Sequence, residues 1–262
     1  MHNTFDFPVK AVLFDLDDTL FDHLYSTRQG LQAVCQAYPC FQQRSIEELF
    51  ADYTRLLDEV HLRVLEGSLS IDEARRERFH RFFLLHSPET EDLLNAVEHA
   101  ANLHRETYQA SRQIVAGVVP LLEHLHSKVK IAIVTNNLQE EQVEKLRYLK
   151  LDHLVDELVT SEETGFIKPD PGIFRVALQR IGCRAEEAVM LGDAWKSDVL
   201  GATQAGIRAI WLNRTGITCP DPELALELRS FEPLEVAICS ILGQPQSEDG
   251  TRTSRYDDTA RS

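Results

Sequence analysis

The chain has 262 residues, 43% of them hydrophobic, and its 42 Asp and Glu residues outnumber 27 Lys and Arg to give a formal net charge of -15. A chain of this length and apolar content can bury a core as one large domain or two smaller ones. The negative charge disfavours nucleic acid or an anionic membrane surface as a partner, so an anionic substrate would need a local cation at its site.

The cysteines and the N-terminal residues indicate the compartment. The five cysteines are scattered and contain no C-x-x-C pair, a pattern that favours free thiols in a reducing environment. Residues 1–10 lack the basic start and the apolar run of a signal peptide, and no stretch approaches the ~20 apolar residues of a membrane span. We therefore expect a cytoplasmic protein that does not enter a membrane.

An apolar run at residues 9–14 ends in three acids, Asp15, Asp17 and Asp18. The run predicts a buried strand, and side-chain alternation would point Asp15 and Asp17 to the same side. Two carboxylates on one side repel each other, and a bound metal or a shared proton relieves that repulsion. The structural alternative is that the acids cap a turn, with Asp18 and Thr19 starting a helix.

Residues 23–112 have helical periodicity and no strand-like alternation. Ser45 with Glu48 forms a capping-box pattern before one helix, Ser70 starts another, and a third is predicted over residues 91–110. The segment therefore predicts about four helices in a small bundle. The strand before this segment resembles the strands of the second half of the chain in composition. We therefore interpret the bundle as an insertion between that strand and the rest of the core.

From about residue 113 strands and helices alternate. The pattern predicts strands over residues 129–134, 157–160, 188–191 and 207–212, and helices over residues 120–126, 140–149, 171–181 and 197–205. This alternation is typical of an α/β fold, a Rossmann-like parallel sheet flanked by helices. We predict a core domain of residues 1–22 and 113–243, an all-helical cap domain of residues 23–112, and a disordered polar tail of residues 244–262.

Polar residues follow the predicted strands, where the loops of a parallel sheet converge on a ligand. They are, in chain order after the first strand, Thr135, Asn136, Lys168, Asp193 and Asp198. Carboxylates bind a hard cation such as magnesium, a lysine neutralises an anion, and a hydroxyl with free amides binds phosphate. Since no suitable Cys, Ser–His pair or Gly-rich loop is present, the nucleophile is sought among the carboxylates.

Each of these residues alone has a structural explanation. Lys168 lies in a turn before a helix, Asp198 lies beside a helix start, and Thr135 with Asn136 ends a strand. Their occurrence in order behind successive strands is what favours a shared site.

These residues resemble the four motifs of the haloacid dehalogenase-like (HAD) hydrolase superfamily. The first motif, D-x-D-x-T, is matched by residues 15–19, and the later ones by Val134-Thr135-Asn136, by Lys168-Pro169, and by Gly192-Asp193 with Asp198. The resemblance covers roughly residues 9 to 215, and the helical insertion resembles the C1 cap of that superfamily. Within it, the chain is most similar to the phosphatase branch that includes pyrimidine 5'-nucleotidase-like and N-acylneuraminate-9-phosphatase-like proteins.

The resemblance implies a role for each motif residue. Asp15 would be the nucleophile that takes the phosphoryl group, and Asp17 would protonate the leaving alcohol and then activate water. Thr135 and the Asn136 amide would hold the phosphoryl oxygens, and Lys168 would offset their charge.

The resemblance also implies a cofactor, Mg²⁺. The ion would be held by the Asp15 side chain, the Asp17 main-chain carbonyl and Asp193, with Asp198 in or near that shell. The implied activity is magnesium-dependent hydrolysis of a small phosphate monoester through an aspartyl phosphate.

Other members of the superfamily give the alternatives. A phosphomutase, a 2-haloacid dehalogenase and a non-catalytic binding protein of the same fold remain open. Asp17 favours phosphate ester hydrolysis, because an alkoxide leaving group needs an acid and a halide does not.

The cap predicts a small enclosed substrate, but its specificity residues cannot be identified from helical periodicity. Arg28, Arg55 and Arg63 are candidates, with a solvated charged face as the simpler explanation for each. The oligomeric state is left open between a monomer and a homodimer.

Overall fold

The structure is a computed structural model that describes residues 7–243, so the predicted disorder of residues 244–262 lies outside the described residues. A six-stranded parallel sheet organises the chain, in the order β3-β2-β1-β4-β5-β6. The strands are β1 Ala11–Phe14, β2 Lys130–Thr135, β3 Glu157–Thr160, β4 Ala188–Gly192, β5 Arg208–Leu212 and β6 Leu226–Leu228. The predicted α/β Rossmann-like fold is confirmed.

Four helices lie between β1 and β2 in an insertion. They are α1 His23–Ala37, α2 Ile46–Leu65, α3 Ile71–His86 and α4 Leu93–Ala110. Ser45 and Ser70 each accept a hydrogen bond from the amide three residues later, so both α2 and α3 begin with a capping box. The apolar faces of the four helices meet around buried aromatic side chains, among them Tyr53, Phe79 and Phe82. The division of the chain into domains at residues 22/23 and 112/113 stays a prediction.

The remaining helices cover the sheet. They are α5 Val118–His126, α6 Gln139–Tyr148, α7 Ser161–Thr164, α8 Pro171–Ile181, α9 Leu200–Gln204 and α10 Leu234–Leu242. The predicted helix over residues 197–205 is a π-helical turn, Trp195–Val199, followed by α9. Sequence patterning missed both β6 and α10. In β6, a three-residue edge strand with a central Glu has too few positions to show a period.

Both faces of the sheet are buried, which explains the continuous apolar composition of its central strands. In β1, Val12 and Phe14 pack on one face with residues of α5 and α10, and Ala11 and Leu13 pack on the other with residues of α8. Within residues 7–243, no helix combines the length and apolar character needed to cross a bilayer.

The two chain segments that connect the insertion to the core are paired with each other. The Asp22 amide donates to the Gln113 carbonyl at 3.0 Å, and the Val115 amide donates to the Leu20 carbonyl at 3.0 Å. This short ribbon lies directly after the acidic end of β1, so the insertion begins next to the predicted nucleophile.

Candidate active site

Lys168 lies at the centre of the predicted site. Its buried Nζ donates to Asp15 Oδ1 at 2.6 Å, to Asp198 Oδ1 at 2.7 Å and to the Val134 carbonyl at 2.8 Å. Burial lowers the pKa of Lys168, but the two carboxylates raise it further and place it above its usual range. Lys168 is therefore a fixed positive charge against the predicted nucleophile, although 153 residues separate the two in the chain.

Three of the predicted carboxylates form one cluster. Oxygen atoms of Asp15, Asp193 and Asp198 all lie within 4.8 Å of one another. Burial, followed by repulsion from Asp15 and Asp198, raises the pKa of Asp193. Burial also raises the pKa of Asp15, against the opposing effect of Lys168. Three acids and one lysine leave excess negative charge, and an all-oxygen donor set of this kind fits a hard divalent cation.

Small and polar residues hold the fourth-motif loop in place. The Thr19 hydroxyl donates to Asp193 Oδ1 at 3.2 Å and accepts from the Asp193 amide at 3.1 Å, joining the first motif to the fourth. Asp198 Oδ2 accepts from the Ala194 amide at 3.0 Å. Gly192 is required by this packing, because a Cβ at that position would overlap the Asp198 carboxylate.

Asp17 is held by a separate set of side chains on and before α6. Lys145 Nζ makes a short ion pair with Asp17 Oδ1, and Gln142 Nε2 donates to Asp17 Oδ2 at 3.0 Å. Burial raises the pKa of Asp17, but Lys145, with help from His23 and these hydrogen bonds, lowers it well below its usual range. Asp17 thus pairs with Lys145, whereas Asp15 pairs with Lys168.

Sequence reasoning missed Lys145 and Gln142. Their spacing of three residues places both on the same face of α6, which follows the second motif, and that spacing was the available signal. A lysine in a short amphipathic helix rich in charge is nevertheless usually solvated, and only the packing of α6 shows that this one is buried.

Asn136 connects two of the predicted loops. Its Nδ2 donates to the Lys168 carbonyl at 2.9 Å, and its Oδ1 accepts from the Lys168 amide at 2.7 Å. The Asn136 side chain is therefore engaged in positioning Lys168. The buried Thr135 hydroxyl lies at the end of β2, directly before Asn136, and accepts from Gln142 at 3.3 Å. From the insertion, Nε2 of His61 hydrogen-bonds to the Asn136 carbonyl at 3.2 Å.

Asp18 faces away from this chemistry. It has a positive φ of 61°, and its Oδ1 accepts from the Leu24 amide in the first turn of α1 at 2.7 Å. The turn-capping interpretation thus fits Asp18, although α1 begins at His23 and not at Asp18 and Thr19. Asp15 and Asp17 point into the site.

A cavity of about 390 Å³ lies over these residues, between the core and the insertion. All the predicted site residues line it: Asp15, Asp17, Thr135, Asn136, Lys168, Asp193 and Asp198. The insertion adds aromatic, histidine and arginine side chains, of which the arginines are Arg75, Arg78, Arg105 and Arg112.

The arginines named from the sequence are not in this cavity lining. Arg28 pairs with Glu47, Arg55 with Asp52 and Glu59, and Arg63 with Glu77, all at partly exposed positions. The solvated-face interpretation of Arg28, Arg55 and Arg63 is therefore correct, and sequence reasoning missed the arginines that do line the cavity.

The sequence pattern of the haloacid dehalogenase-like hydrolases matches residues 9–206. The chain belongs to this family. The match includes the end of β1, all four loops of the site and the whole helical insertion. The family expected from the motifs is thus confirmed.

Curated relatives of this HAD hydrolase include several phosphatases. A glyceraldehyde 3-phosphate phosphatase from Methanothermobacter thermautotrophicus is 30% identical over 78% of this chain and 86% of its own length. A phosphoserine phosphatase from Thermus thermophilus is 30% identical over 89% of this chain and its full length. A pyrimidine 5'-nucleotidase from Escherichia coli is 30% identical over 77% of this chain and 85% of its own length. These relatives confirm the prediction of a HAD hydrolase of the phosphatase class.

Solved structures also share the fold. A HAD hydrolase from Bacillus subtilis bound to magnesium has a TM-score of 0.69 and 24% identity, covering 88% of this chain and 99% of that one. At this identity the likeness describes the fold alone.

Proposed function

We propose that this HAD hydrolase is a magnesium-dependent phosphatase that hydrolyses a small phosphate monoester through an aspartyl phosphate on Asp15. The observation that carries the proposal is the pairing of two aspartates with two different lysines. Asp15 contacts Lys168 and Asp17 contacts Lys145, so neighbouring carboxylates have separate electrostatic environments. Separate environments are what distinct chemical roles require.

In the free site Lys145 keeps Asp17 ionised, so Asp17 must take up a proton as the phosphate dianion enters beside it, since added negative charge raises the pKa of a carboxyl. In the first half-reaction Asp15 then attacks phosphorus, and protonated Asp17 gives this proton to the leaving alkoxide. A phosphate dianion approaches a carboxylate only where cations screen both, and Lys168 supplies one such charge directly against Asp15. Thr135 and Asn136 line the same cavity, and the Thr135 hydroxyl and the backbone amide of Asn136 would hold the phosphoryl oxygens.

In the second half-reaction Asp17, now a carboxylate, takes a proton from the water that attacks the phosphoryl group on Asp15. Lys145 and Gln142 stabilise that carboxylate and fix its orientation. A halide leaving group would need no such residue, so the ordered Asp17 disfavours a dehalogenase.

The acidic cluster would hold the cofactor. Asp15, Asp193 and Asp198 would provide side-chain oxygens, together with the Asp17 carbonyl, and both oxygens of Asp198 already accept hydrogen bonds from Lys168 and Ala194. When bound, Mg²⁺ supplies positive charge that stabilises the transferring phosphoryl group.

The cavity supports a small-molecule substrate. The cavity has a volume of about 390 Å³ and is lined on one side by residues of the four inserted helices, a size that suits a metabolite-sized ester. The phosphatase relatives, named for glyceraldehyde 3-phosphate and phosphoserine, agree with that size.

The five free cysteines support a reducing, cytoplasmic location. A monomer or homodimer stays the prediction for the assembly, to be measured by sedimentation.

The test is phosphate release from 4-nitrophenyl phosphate and a panel of metabolite esters, with Mg²⁺ and with EDTA. We expect EDTA and Asp15→Asn each to abolish turnover while circular dichroism stays unchanged. Asp18→Asn is the matched control, because asparagine tolerates a positive φ and still accepts from the Leu24 amide. Substantial turnover by Asp15→Asn, or full activity in EDTA, would contradict the mechanism.

A further inference from the structure

Arg78 on α3 is an exception among the arginines that line the cavity. Arg75 pairs with Glu141 on α6 at 2.7 Å, and Arg112 pairs with Glu144 of the same helix through both terminal nitrogens. These two guanidinium groups are neutralised by carboxylates of the core. They tie the insertion to α6 and have little charge left for a ligand.

Arg78 has no such partner within residues 7–243. Its Nε is shielded from solvent and makes no hydrogen bond, and its guanidinium forms no ion pair with any described carboxylate. Its guanidinium carbon lies over the face of the Tyr53 ring, 5.8 Å from the centroid. Arg78 is half-buried as a whole. A partly buried cation without a counter-ion is unfavourable, and an anionic ligand would relieve that cost.

Among residues 7–243, the surroundings of Arg78 supply hydrogen-bonding atoms but no ion-pair partner. The buried His104 lines the same cavity, and its Nε2 also lacks a partner among the described residues. Burial, and then the charge of Arg78, lowers the pKa of His104 to about 3, so its ring is neutral. Asp58 is the acidic side chain that the insertion contributes to the lining, and it makes no ion pair with Arg78.

Arg78 and the catalytic aspartates share one cavity. Asp15, Asp17 and Arg78 all line it, and His23 is affected by the charges of both Asp17 and Arg78. A single small molecule can therefore place its phosphoryl group at Asp15 and a second group at Arg78.

We propose that Arg78 binds a second oxyanion, a carboxylate or a second phosphoryl group, on the phosphate ester that this site hydrolyses. The inference rests on the proposed phosphatase function and narrows its substrate class to doubly anionic metabolites. The planar guanidinium offers paired donors that match either oxyanion.

The test measures binding of phosphonates to the full chain with Mg²⁺ by calorimetry, so no turnover is needed. Propylphosphonate has a neutral tail, whereas 3-phosphonopropanoate, 5-phosphonopentanoate and propane-1,3-diphosphonate end in an oxyanion. We expect at least one charged-tail ligand to bind about 10- to 100-fold more tightly than propylphosphonate, the effect of charge-assisted hydrogen bonds. The preferred tail then distinguishes a carboxylate from a phosphoryl group.

The variants assign that preference to one residue. Arg78→Ala is expected to lose the 10- to 100-fold advantage and to bind propylphosphonate like the wild type, which also reports an intact site. Arg76→Ala is the matched control, since Arg76 lies on the same helix, is exposed and faces Glu98 rather than the cavity. Arg78→Gln removes the charge but keeps more of the side-chain volume, and it repeats the test if the alanine variant does not fold.

Two results would overturn the inference: equal binding of charged and neutral tails by the wild type, or a charged-tail advantage that persists in both Arg78 variants. Failure of the phosphatase function itself is seen separately, as an absence of phosphate release from 4-nitrophenyl phosphate by the wild type.

Discussion

Lys145→Met removes the cation beside Asp17 while keeping a long apolar side chain. The Lys145 side chain is 8% exposed, and its Nζ lies 4.8 Å from the centroid of the Phe21 ring, so a methionine can fill the same space. The substitution therefore tests the charge of Lys145 more than its volume.

The expected magnitude follows from the contacts that remain. Asp17 keeps its 3.0 Å hydrogen bond from Gln142 but loses a charge-assisted one, worth about 1.5–3 kcal/mol. A general acid or base contributes about 10²–10⁴-fold to turnover, and a less well oriented Asp17 should lose about 10- to 100-fold in kcat. Since the substitution leaves Lys168, the residue proposed to offset the phosphate charge, in place, KM should change little.

The pH dependence gives a sharper result. Burial raises the pKa of Asp17 and Lys145 lowers it, so without Lys145 the acid limb of the kcat profile should move upward by about one to three pH units. The lowered pKa in the wild type stabilises the fold above the unfolded pKa near 3.8 and ceases to do so as pH falls through the folded value. The stability difference between wild type and variant should therefore be present at pH 7 and shrink below about pH 4.

The assay is a pH series of kcat and of urea unfolding for both proteins. Lys130→Met is the control, because it removes one charge from a surface ion pair with Asp156 in which the Lys130 side chain is 62% exposed. Such pairs contribute about 0–1 kcal/mol, and the control should keep the wild-type pH profile. An unchanged acid limb in Lys145→Met would refute the assignment of separate lysines to the two aspartates.

Two further predictions concern the core loop and the insertion. Gly192→Ala places a Cβ on the Asp198 carboxylate, and we expect more than 10-fold loss of kcat with about 1–3 kcal/mol lost in urea unfolding; wild-type activity would contradict the packing argument. Burial lowers the pKa of His104 to about 3, so the folded state disfavours the protonated ring. The free energy of unfolding of the wild type should therefore fall as pH drops from about 6.5 towards 4, by up to about 1.4 kcal/mol per pH unit. In thermal melts His104→Gln should show a shallower decline over that range, and an identical slope would exclude His104 as its source.

The predictable part of the site follows from one rule of parallel sheets. Asp15, Lys168 and Asp193 could be grouped because each follows a strand, and the carboxyl ends of parallel strands share an edge whatever their separation in the chain. The same rule could not find Lys145 or Arg78. Both belong to helices, and which face of a helix meets a cavity depends on how that helix packs.

The strand pattern shows a similar limit. Central strands such as β2 are buried on both faces, so their continuous apolar composition predicts them directly. The edge strand β6 has only Glu227 between two leucines, which is too short a pattern to predict a strand. The predicted helix 197–205 was right in position but not in type, because hydrogen-bond spacing within a turn is set by its surroundings. Here those surroundings include Asp198, whose side chain binds both Lys168 and the Ala194 amide.

The ribbon formed by Asp22 with Gln113 and by Leu20 with Val115 has a consequence for how the chain folds. Pairing β1 with β2 would otherwise require closing a loop of more than one hundred residues. If the four helices fold first and bring their ends together at this ribbon, the loop that remains is roughly four-fold shorter. At about 0.6 kcal/mol per doubling of loop length, the saving in closure entropy is roughly 1 kcal/mol. The insertion can then be long, or be exchanged for another with adjacent ends, at little cost to assembly of the sheet.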